Sequence, residues 1–285
     1  MPYIGAHMPI SGGMEKALYR GKEIGCDVIQ IFTHNTSSWY MRPLNQNQID
    51  AFAEAQEKTG VKPISVHVGY LINVASSDNN IWKSSINSLK KEVERATMLN
   101  IPYVVMHPGS HKGAGEEYGI KRISEALRQV IKETGRARIL LETTAGQGTS
   151  LGCKLEHLAD IMEKTGYSDR LGICLDTCHI FAAGYDFRTK EAYNALMGKL
   201  EKLIGLDYLF LFHMNDSKKG LGSRVDRHMH IGEGMIGEKA LSYFLKDVRF
   251  KYHPFIIETP KQKDEKGNDY DIINLKRLRK ILRRR

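Results

Sequence analysis

The sequence predicts an α/β protein folded as a single (β/α)8 TIM barrel, and three observations predict it. Eight short apolar runs recur along the chain, most of them separated by stretches of helical composition, the alternation expected of a parallel sheet wrapped by helices. The 285 residues contain no low-complexity linker and suit one domain, residues 1–285, because such barrels take roughly 250 residues. No Gly-x-Gly-x-x-Gly follows any of the runs, which leaves a doubly wound open sheet without its usual signature.

Tyr3-Ile4-Gly5-Ala6-His7 is the first strand, followed by a Gly-rich turn and a helix over 14–24. Val28-Ile29-Gln30-Ile31-Phe32 is the second, and its polar tail from His34 to Tyr40 leads to a helix over 46–58. Pro63-Ile64-Ser65-Val66-His67, Tyr103-Val104-Val105-Met106-His107 and Arg138-Ile139-Leu140-Leu141-Glu142 are the third, fourth and fifth. The helices between them, near 80–99 and 116–134, are rich in Glu, Lys, Arg, Leu and Ala, all strong helix formers. A helix near 154–164 precedes the sixth strand, which runs from Leu171 into Asp176 and is apolar enough to be buried on both faces. Tyr208-Leu209-Phe210-Leu211-Phe212-His213 and Pro254-Phe255-Ile256-Ile257-Glu258 complete the eight, and a last helix enters a basic tail over 276–285.

Hydrophobic content of 41% and charged content of 26% are ordinary for a globular protein. No basic region followed by an apolar signal core opens the chain, and no segment reaches the ~20 apolar residues of a membrane span, so a cytoplasmic protein without membrane contact is expected. The cysteines Cys26, Cys153, Cys174 and Cys178 lack paired spacing and are expected to be reduced and buried, Cys178 as a small apolar filler. The net charge is +9, but the last ten residues hold seven basic and no acidic side chains, leaving +2 for the remainder. The tail suits a polyanionic partner, and equally a solvated helix whose basic end complements its dipole.

Six consecutive strands end on a metal-binding residue type: His67, His107, Glu142, Asp176, His213 and Glu258. In a parallel barrel all these ends point to one mouth, so the six side chains should converge there. His179 lies just past Asp176, and Asp226 and His228 sit in the long segment after the seventh strand. Five histidines and four carboxylates are about twice what one zinc ion takes, which implies more than one cation. Mixed imidazole and carboxylate ligands suit Zn²⁺, Mn²⁺ or Fe²⁺, and Glu142 is the natural bridge between ions. Two cations ~3.5–4 Å apart can hold an attacking and a leaving oxygen in line, which points to hydrolysis of a phosphoester.

These residues also carry a resemblance. Leu175-Asp176-Thr177-Cys178-His179, His213-Met214-Asn215-Asp216-Ser217-Lys218, the stretch Gly222-Ser223-Arg224-Val225-Asp226-Arg227-His228 with Gly232-Glu233-Gly234, and Glu142-Thr143-Thr144-Ala145-Gly146-Gln147-Gly148 resemble the endonuclease IV family of apurinic/apyrimidinic endonucleases, from Ile4 to Glu258. The resemblance implies three zinc ions, held by His67, His107 and Glu142; by Glu142, Asp176, His213 and Glu258; and by His179, Asp226 and His228. It implies an enzyme that cuts double-stranded DNA 5′ to an abasic site, leaving a 3′-hydroxyl and a 5′-deoxyribose phosphate, with a 3′-phosphodiesterase or phosphatase side activity; a monomer is the default expectation. Glu142 and Glu258 would be the catalytic carboxylates.

Tyr70 and Leu71 match a family insertion that wedges into DNA, whereas Ser37 or Ser38 stands where the family places an inserted arginine, with Trp39, Tyr40 or Arg42 as substitutes. Asn35 and Arg227 are further candidates for DNA contact, Arg227 alternatively as the partner of a carboxylate; Ser110, His111 and Lys218 follow. His7 and His230 are expected to hydrogen-bond behind the ligands, and His34, His157 and His253 to serve packing or the surface. The nearest rival is a sugar isomerase of similar architecture working with two cations, which would use fewer histidines and no wedge. A catalytically silent DNA-binding protein would not require the ligands at all.

Overall fold

The structure, a computed structural model, describes residues 1–284. Its eight parallel barrel strands are β1 (Tyr3–Met8), β2 (Val28–Ile31), β3 (Lys62–His67), β4 (Tyr103–Met106), β5 (Arg138–Glu142), β6 (Leu171–Asp176), β7 (Leu209–His213) and β10 (Pro254–Ile257). Closure comes from β10, which pairs with β7 on one side and β1 on the other. Two short antiparallel strands, β8 (Asp216–Ser217) and β9 (His228–Met229), form a hairpin beyond β7. The surrounding helices are α1 (Met14–Ile24), α2 (Gln46–Thr59), α3 (Asn79–Met98), α4 (Glu116–Glu133), α5 (Leu155–Thr165), α6 (Thr177–Ala183), α7 (Lys190–Leu203), α8 (Gly237–Leu245) and α9 (Tyr270–Arg283).

The single (β/α)8 barrel expected from the sequence is the observed architecture, with strand ends displaced by at most two residues. The sequence pattern left α6, α7 and α8 unplaced. The reason is clearest for α6: the Asp176 carboxylate accepts the backbone N–H of His179, so the last residue of β6 is already the helix cap. No turn residues separate the two elements, and the polar run after Leu175 does not look like a helix start.

Two apolar layers hold the fold. The outer one lies between strands and helices and includes Leu18, Ile29, Leu89, Leu127 and Leu141, all fully buried. The inner one fills the barrel with Val28, Val105, Leu140, Cys174, Leu211 and Ile256. Each fully buried aliphatic side chain stabilises the fold by ~1.5–3 kcal/mol. At Gly5 the strands crowd: a Cβ there would sit 1.7 Å from the Val28 carbonyl oxygen, so no other residue fits between β1 and β2. Between β2 and β3 the register slips after Ile29, opposite Pro63, and resumes with Gln30 facing Ser65. Proline has no N–H to give the ladder, and a bulge there re-aims the residues that follow.

The basic C-terminal segment differs from a solvated tail. Leu275, Leu278 and Ile281 of α9 are buried in the core, so residues 276–285 cannot be removed without opening it. Arg285 lies outside the described residues. Since β10 points towards the mouth, α9 returns towards the opposite end, where Arg279 donates to the Gly25 carbonyl. Arg277 pairs with Glu233 and Arg284 with Glu238. Three of the basic side chains that suggested a polyanion are therefore engaged in internal contacts. Among the described residues no helix is long and apolar enough to cross a membrane. All four cysteines are free; Cys26, Cys174 and Cys178 are buried and Cys153 half-buried.

Candidate metal centre

Side chains alternate along a strand, so the residue two places beyond each inward apolar residue also points into the barrel. Counting on from Val28, Val105, Leu140, Cys174, Leu211 and Ile256 gives Gln30, His107, Glu142, Asp176, His213 and Glu258. The same step from Gly5 and Ser65 gives His7 and His67. Each strand thus contributes one polar side chain to a ring above the apolar plug.

Glu142, fully buried, is the centre of that ring. Its Oε2 lies 3.0 Å from His67 Nε2 and 3.1 Å from His107 Nε2, and its Oε1 lies 2.8 Å from His213 Nδ1. His213 Nδ1 also stands 3.1 Å from Glu258 Oε2 and 3.9 Å from Asp176 Oδ2. His179, carried on the first turn of α6, and His228, carried on β9, face each other across Asp226, with Nε2 to carboxylate distances of 3.2 and 3.4 Å. His228 Nε2 lies 3.6 Å from Asp176 Oδ2 as well.

Three of these imidazoles are oriented by backbone carbonyls. His67 Nδ1 donates to Val68 O at 2.9 Å, His179 Nδ1 to Thr143 O at 2.8 Å, and His228 Nδ1 to Glu258 O at 3.0 Å. A proton held on Nδ1 leaves the lone pair on Nε2, the nitrogen that faces the carboxylates. Asn215 braces the acids: its amide donates to Asp176 Oδ2 at 2.7 Å and its oxygen accepts the Glu258 N–H at 2.7 Å.

Burial works against charge on Glu142, but His213, His107 and His179 outweigh it and hold the carboxyl well below its usual range. Burial likewise opposes the ionisation of Asp226, which His179, His228 and His107 bring down to about 2. Glu258 is lowered in the same way, against burial, by His213 and His7. Burial also opposes the charge on His179, which Asp176, Asp226 and Glu142 push well above the ordinary histidine value, and on His213, raised by Cys174, Glu258 and Glu142. Imidazolium and carboxylate thus neutralise one another here, and a divalent cation would compete with those protons for the same lone pairs.

The residues fit cations. His179 Nε2 and His228 Nε2 are buried, close to carboxylate oxygens, and hydrogen-bonded to nothing. The ligand atoms fall into the sets His67, His107, Glu142; Glu142, Asp176, His213, Glu258; and His179, Asp226, His228, each within 4.8 Å of one another. Ligands ~2.0–2.1 Å from a tetrahedral zinc lie ~3.3 Å apart, the scale of the separations seen here. Cys178 lies within reach of Asp176 and His228, yet burial pushes its thiol up to about 12 and its sulfur donates to Arg227 O at 3.6 Å.

Around the ring, Phe32, Tyr70 and Lys261 help to wall a cavity of about 340 Å³. Tyr70 is 75% exposed, its ring 5.7 Å from Phe32, and Leu71 is 36% exposed. Neither is buried against a helix. A second cavity, about 370 Å³, continues past Leu71 towards Ser110 and Lys112. The loop after β2 presents Tyr40, 73% exposed, and Trp39, 39% exposed, beside the serines. Its Asn35 is exposed and accepts from the Ser37 N–H at 3.1 Å, and its Arg42 gives a carbonyl to Arg95. Arg227 is exposed and donates to the Asp226 carbonyl at 2.7 Å instead of pairing with a carboxylate.

Ser110 bonds Thr149, His111 accepts from the Gly115 N–H, and Lys218 is exposed. His7 sits against Glu258 and Gln30, and His230 stacks on Tyr270 between Gln262 and Asn274. His34 contacts Glu92, His157 contacts Glu116, and His253 bonds Leu209 O.

Sequence reasoning missed two supports. Gln30 is a polar residue in a strand otherwise wholly apolar and buried, and the period-two rule that finds the ligands finds it too. Asp216 is buried and accepts backbone N–H groups of Ser217, Gly232, Gly234 and Ile236, gathering the chain after β9 onto the hairpin. A Cβ on Gly234 would meet Asp216 Oδ1 at 2.4 Å, which explains the glycine.

A family model described as "Xylose isomerase-like TIM barrel" matches residues 18–281. The chain is 48% identical over 285 residues to a protein named probable endonuclease 4 from Chloroflexus aggregans, covering 99% of each. It is 48% identical to the protein of that name from Geobacter sulfurreducens, covering 99% of this chain and 95% of the other. Among solved structures, endonuclease IV from Thermus thermophilus superposes with a TM-score of 0.84 at 35% identity over 99% of both chains. A D-tagatose 3-epimerase-like protein, at 20% identity and a TM-score of 0.72 over 98% of this chain and 97% of the other, shares the fold alone.

Proposed function

The chain belongs to the endonuclease 4 family within the xylose isomerase-like TIM barrels, and from that membership we propose that it is a zinc-dependent DNA repair endonuclease. It hydrolyses the phosphodiester bond 5′ to an abasic site in duplex DNA, leaving a 3′-hydroxyl and a 5′-deoxyribose phosphate. The observation that carries this reading is the convergence of four imidazoles on the two oxygens of a single buried carboxylate, Glu142.

His67, His107 and Glu142 would hold one zinc ion, Glu142, Asp176, His213 and Glu258 a second, and His179, Asp226 and His228 a third. When bound, the cations neutralise phosphate charge and lower the pKa of water towards neutrality. Glu142 spans two sets with one oxygen each and fixes their separation. Glu258, partly exposed to the cavity, would orient the attacking water as well as hold metal. Tyr70 and Leu71 stand proud of the mouth and fill the space vacated when the abasic nucleotide leaves the stack. Asn35 and Arg227 contact the DNA backbone from the loop after β2 and the β8–β9 hairpin. Mn²⁺ or Fe²⁺ would satisfy the same ligands.

Metal analysis of the purified protein, beside incision of a duplex bearing one tetrahydrofuran abasic analogue, tests this. Three zinc ions per chain and chelator-sensitive cutting 5′ to the analogue are expected. A metal-loaded protein that leaves the duplex intact while interconverting sugars would overturn it.

A further inference from the structure

His213 is turned the other way from the three histidines whose Nδ1 is held by a backbone carbonyl, including His179, whose Nδ1 bonds Thr143 O at 2.8 Å while also lying 3.2 Å from Glu142 Oε1. His67, His179 and His228 keep the Nδ1 proton on a backbone carbonyl and offer Nε2. His213 instead directs Nδ1 at Glu142 and Glu258, while its Nε2 lies 3.0 Å from the side-chain oxygen of Gln30. A backbone carbonyl survives substitution of its residue, but a side-chain amide does not. The orientation of this one ligand therefore depends on a single replaceable residue.

The geometry of Gln30 leaves no freedom in how the amide is turned. Glu258 Oε1 stands 2.6 Å from Gln30 Nε2, and a carboxylate oxygen only accepts, so the amide nitrogen is the atom that faces it. The amide oxygen then faces His213 Nε2 at 3.0 Å and the Ser65 hydroxyl at 2.9 Å, and since it too only accepts, His213 must carry its proton on Nε2. The remaining amide hydrogen points to His7 Nδ1 at 3.1 Å. All four hydrogen-bonding positions of the amide are used, and its residue is 0% exposed. The bulge opposite Pro63 sets Ser65 level with Gln30 and so completes the set.

We propose that Gln30 is a positioning residue of the metal centre: its amide selects the His213 tautomer whose lone pair lies on Nδ1, and holds Glu258 beside it. This rests on the cluster being a metal centre, as read above. The amide passes the acceptor character of Glu258 to His213, so the two ligands are set as a pair. Gln30 does not line the mouth cavity and reaches the ligands only through the Glu258 carboxylate and the His213 ring.

Cadmium-113 and nitrogen-15 histidine NMR of the cadmium-loaded protein tests this, with isothermal titration of zinc. In the wild type the His213 ring is expected to couple to cadmium through Nδ1 and to carry hydrogen on Nε2. Gln30→Met, similar in volume, should fold with the wild-type circular dichroism, weaken zinc binding at one site by about 10- to 100-fold, and lose the fixed His213 pattern. Gln30→Glu keeps an acceptor for His213 but sets a carboxylate against Glu258, so it should retain the His213 pattern while the zinc affinity still falls. Ligation through His213 Nε2 in the wild type, or a Gln30→Met protein with unchanged spectra and affinity, overturns the role of Gln30 and leaves the metal centre standing. A wild type that binds neither cadmium nor zinc removes the metal centre, and this inference with it.

Discussion

Glu142 Oε1 lies 2.8 Å from His213 Nδ1, and both side chains are fully buried. The same oxygen lies 3.2 Å from His179 Nδ1 and the carboxylate's other oxygen serves His67 and His107, so its negative charge is shared by four imidazoles. Glu142→Gln keeps the volume and removes that charge. The variant should fold, lose one or more bound cations, and cut the abasic duplex at least about 10³-fold more slowly, the scale of losing a key electrostatic group. Near-normal turnover would take Glu142 out of the centre.

Tyr70 and Leu71 are exposed at the mouth, and the Tyr70 ring packs edge-on against Phe32. Replacing both by alanine should leave the metal content and melting temperature unchanged. Incision of an abasic duplex should fall by about 10- to 100-fold, since unstacking and wedging steps are each worth a few kcal/mol. Hydrolysis of a small phosphodiester, which needs no wedge, should persist. Equal losses on both substrates would contradict the assignment.

Arg95 of α3 holds the loop after β2 from beneath. Its guanidinium donates to the Thr33 hydroxyl at 2.9 Å, the Thr33 carbonyl at 2.5 Å and the Arg42 carbonyl at 2.7 Å. Glu92, one turn earlier, accepts from the Thr33 hydroxyl at 2.6 Å and faces His34. Arg95→Met should cost about 2–3 kcal/mol, as expected where charged hydrogen bonds to buried carbonyls are lost. Hydrogen exchange over 33–45 should quicken and duplex binding weaken, with zinc content intact. Unchanged exchange in that loop would show that the clamp is not needed.

Far from the mouth, Asp247 accepts from the Tyr193 hydroxyl at 2.7 Å and from Arg249. Burial opposes its charge, but Arg249 and Tyr193 prevail and lower its carboxyl from 3.8 to about 2. A lowered carboxyl contributes stability above its unfolded value and loses it as pH falls through the folded one. The advantage of the wild type over Asp247→Asn should therefore be full at pH 7 and shrink between about pH 4 and 2. Because Arg249 is 44% exposed, solvent screening reduces the expected difference to about 1 kcal/mol. Chemical denaturation of the chelated proteins measures it, and a difference that does not change with pH would refute it.

The barrel and the ligand types were legible because both follow from period two in a sheet buried on its two faces. Strand β5 is observed at the bounds the pattern gave, and Glu142 sits at its end. The same rule applies to Gln30, which reads as an oddity in an apolar strand until Ser65 and His213 are seen beside it. Other features depend on contacts distant in sequence. That His213 turns the opposite ring nitrogen inwards is set by a residue 183 positions away. The gathering of Gly232, Gly234 and Ile236 onto Asp216 has no periodic signature, and neither does the burial of α9 behind its run of basic residues.

The place of β10 between β1 and β7 has a bearing on how the protein is made. It is the last strand to be synthesised, so until then the nascent chain presents two open sheet edges, those of the first and seventh strands. His67, His107 and Glu142 leave the ribosome early and can meet one another, but Glu258 arrives only with the closing strand. Maturation of the mouth is thereby tied to synthesis of the closing strand, and a chain cut short before Pro254 would keep an open seam and an incomplete ring.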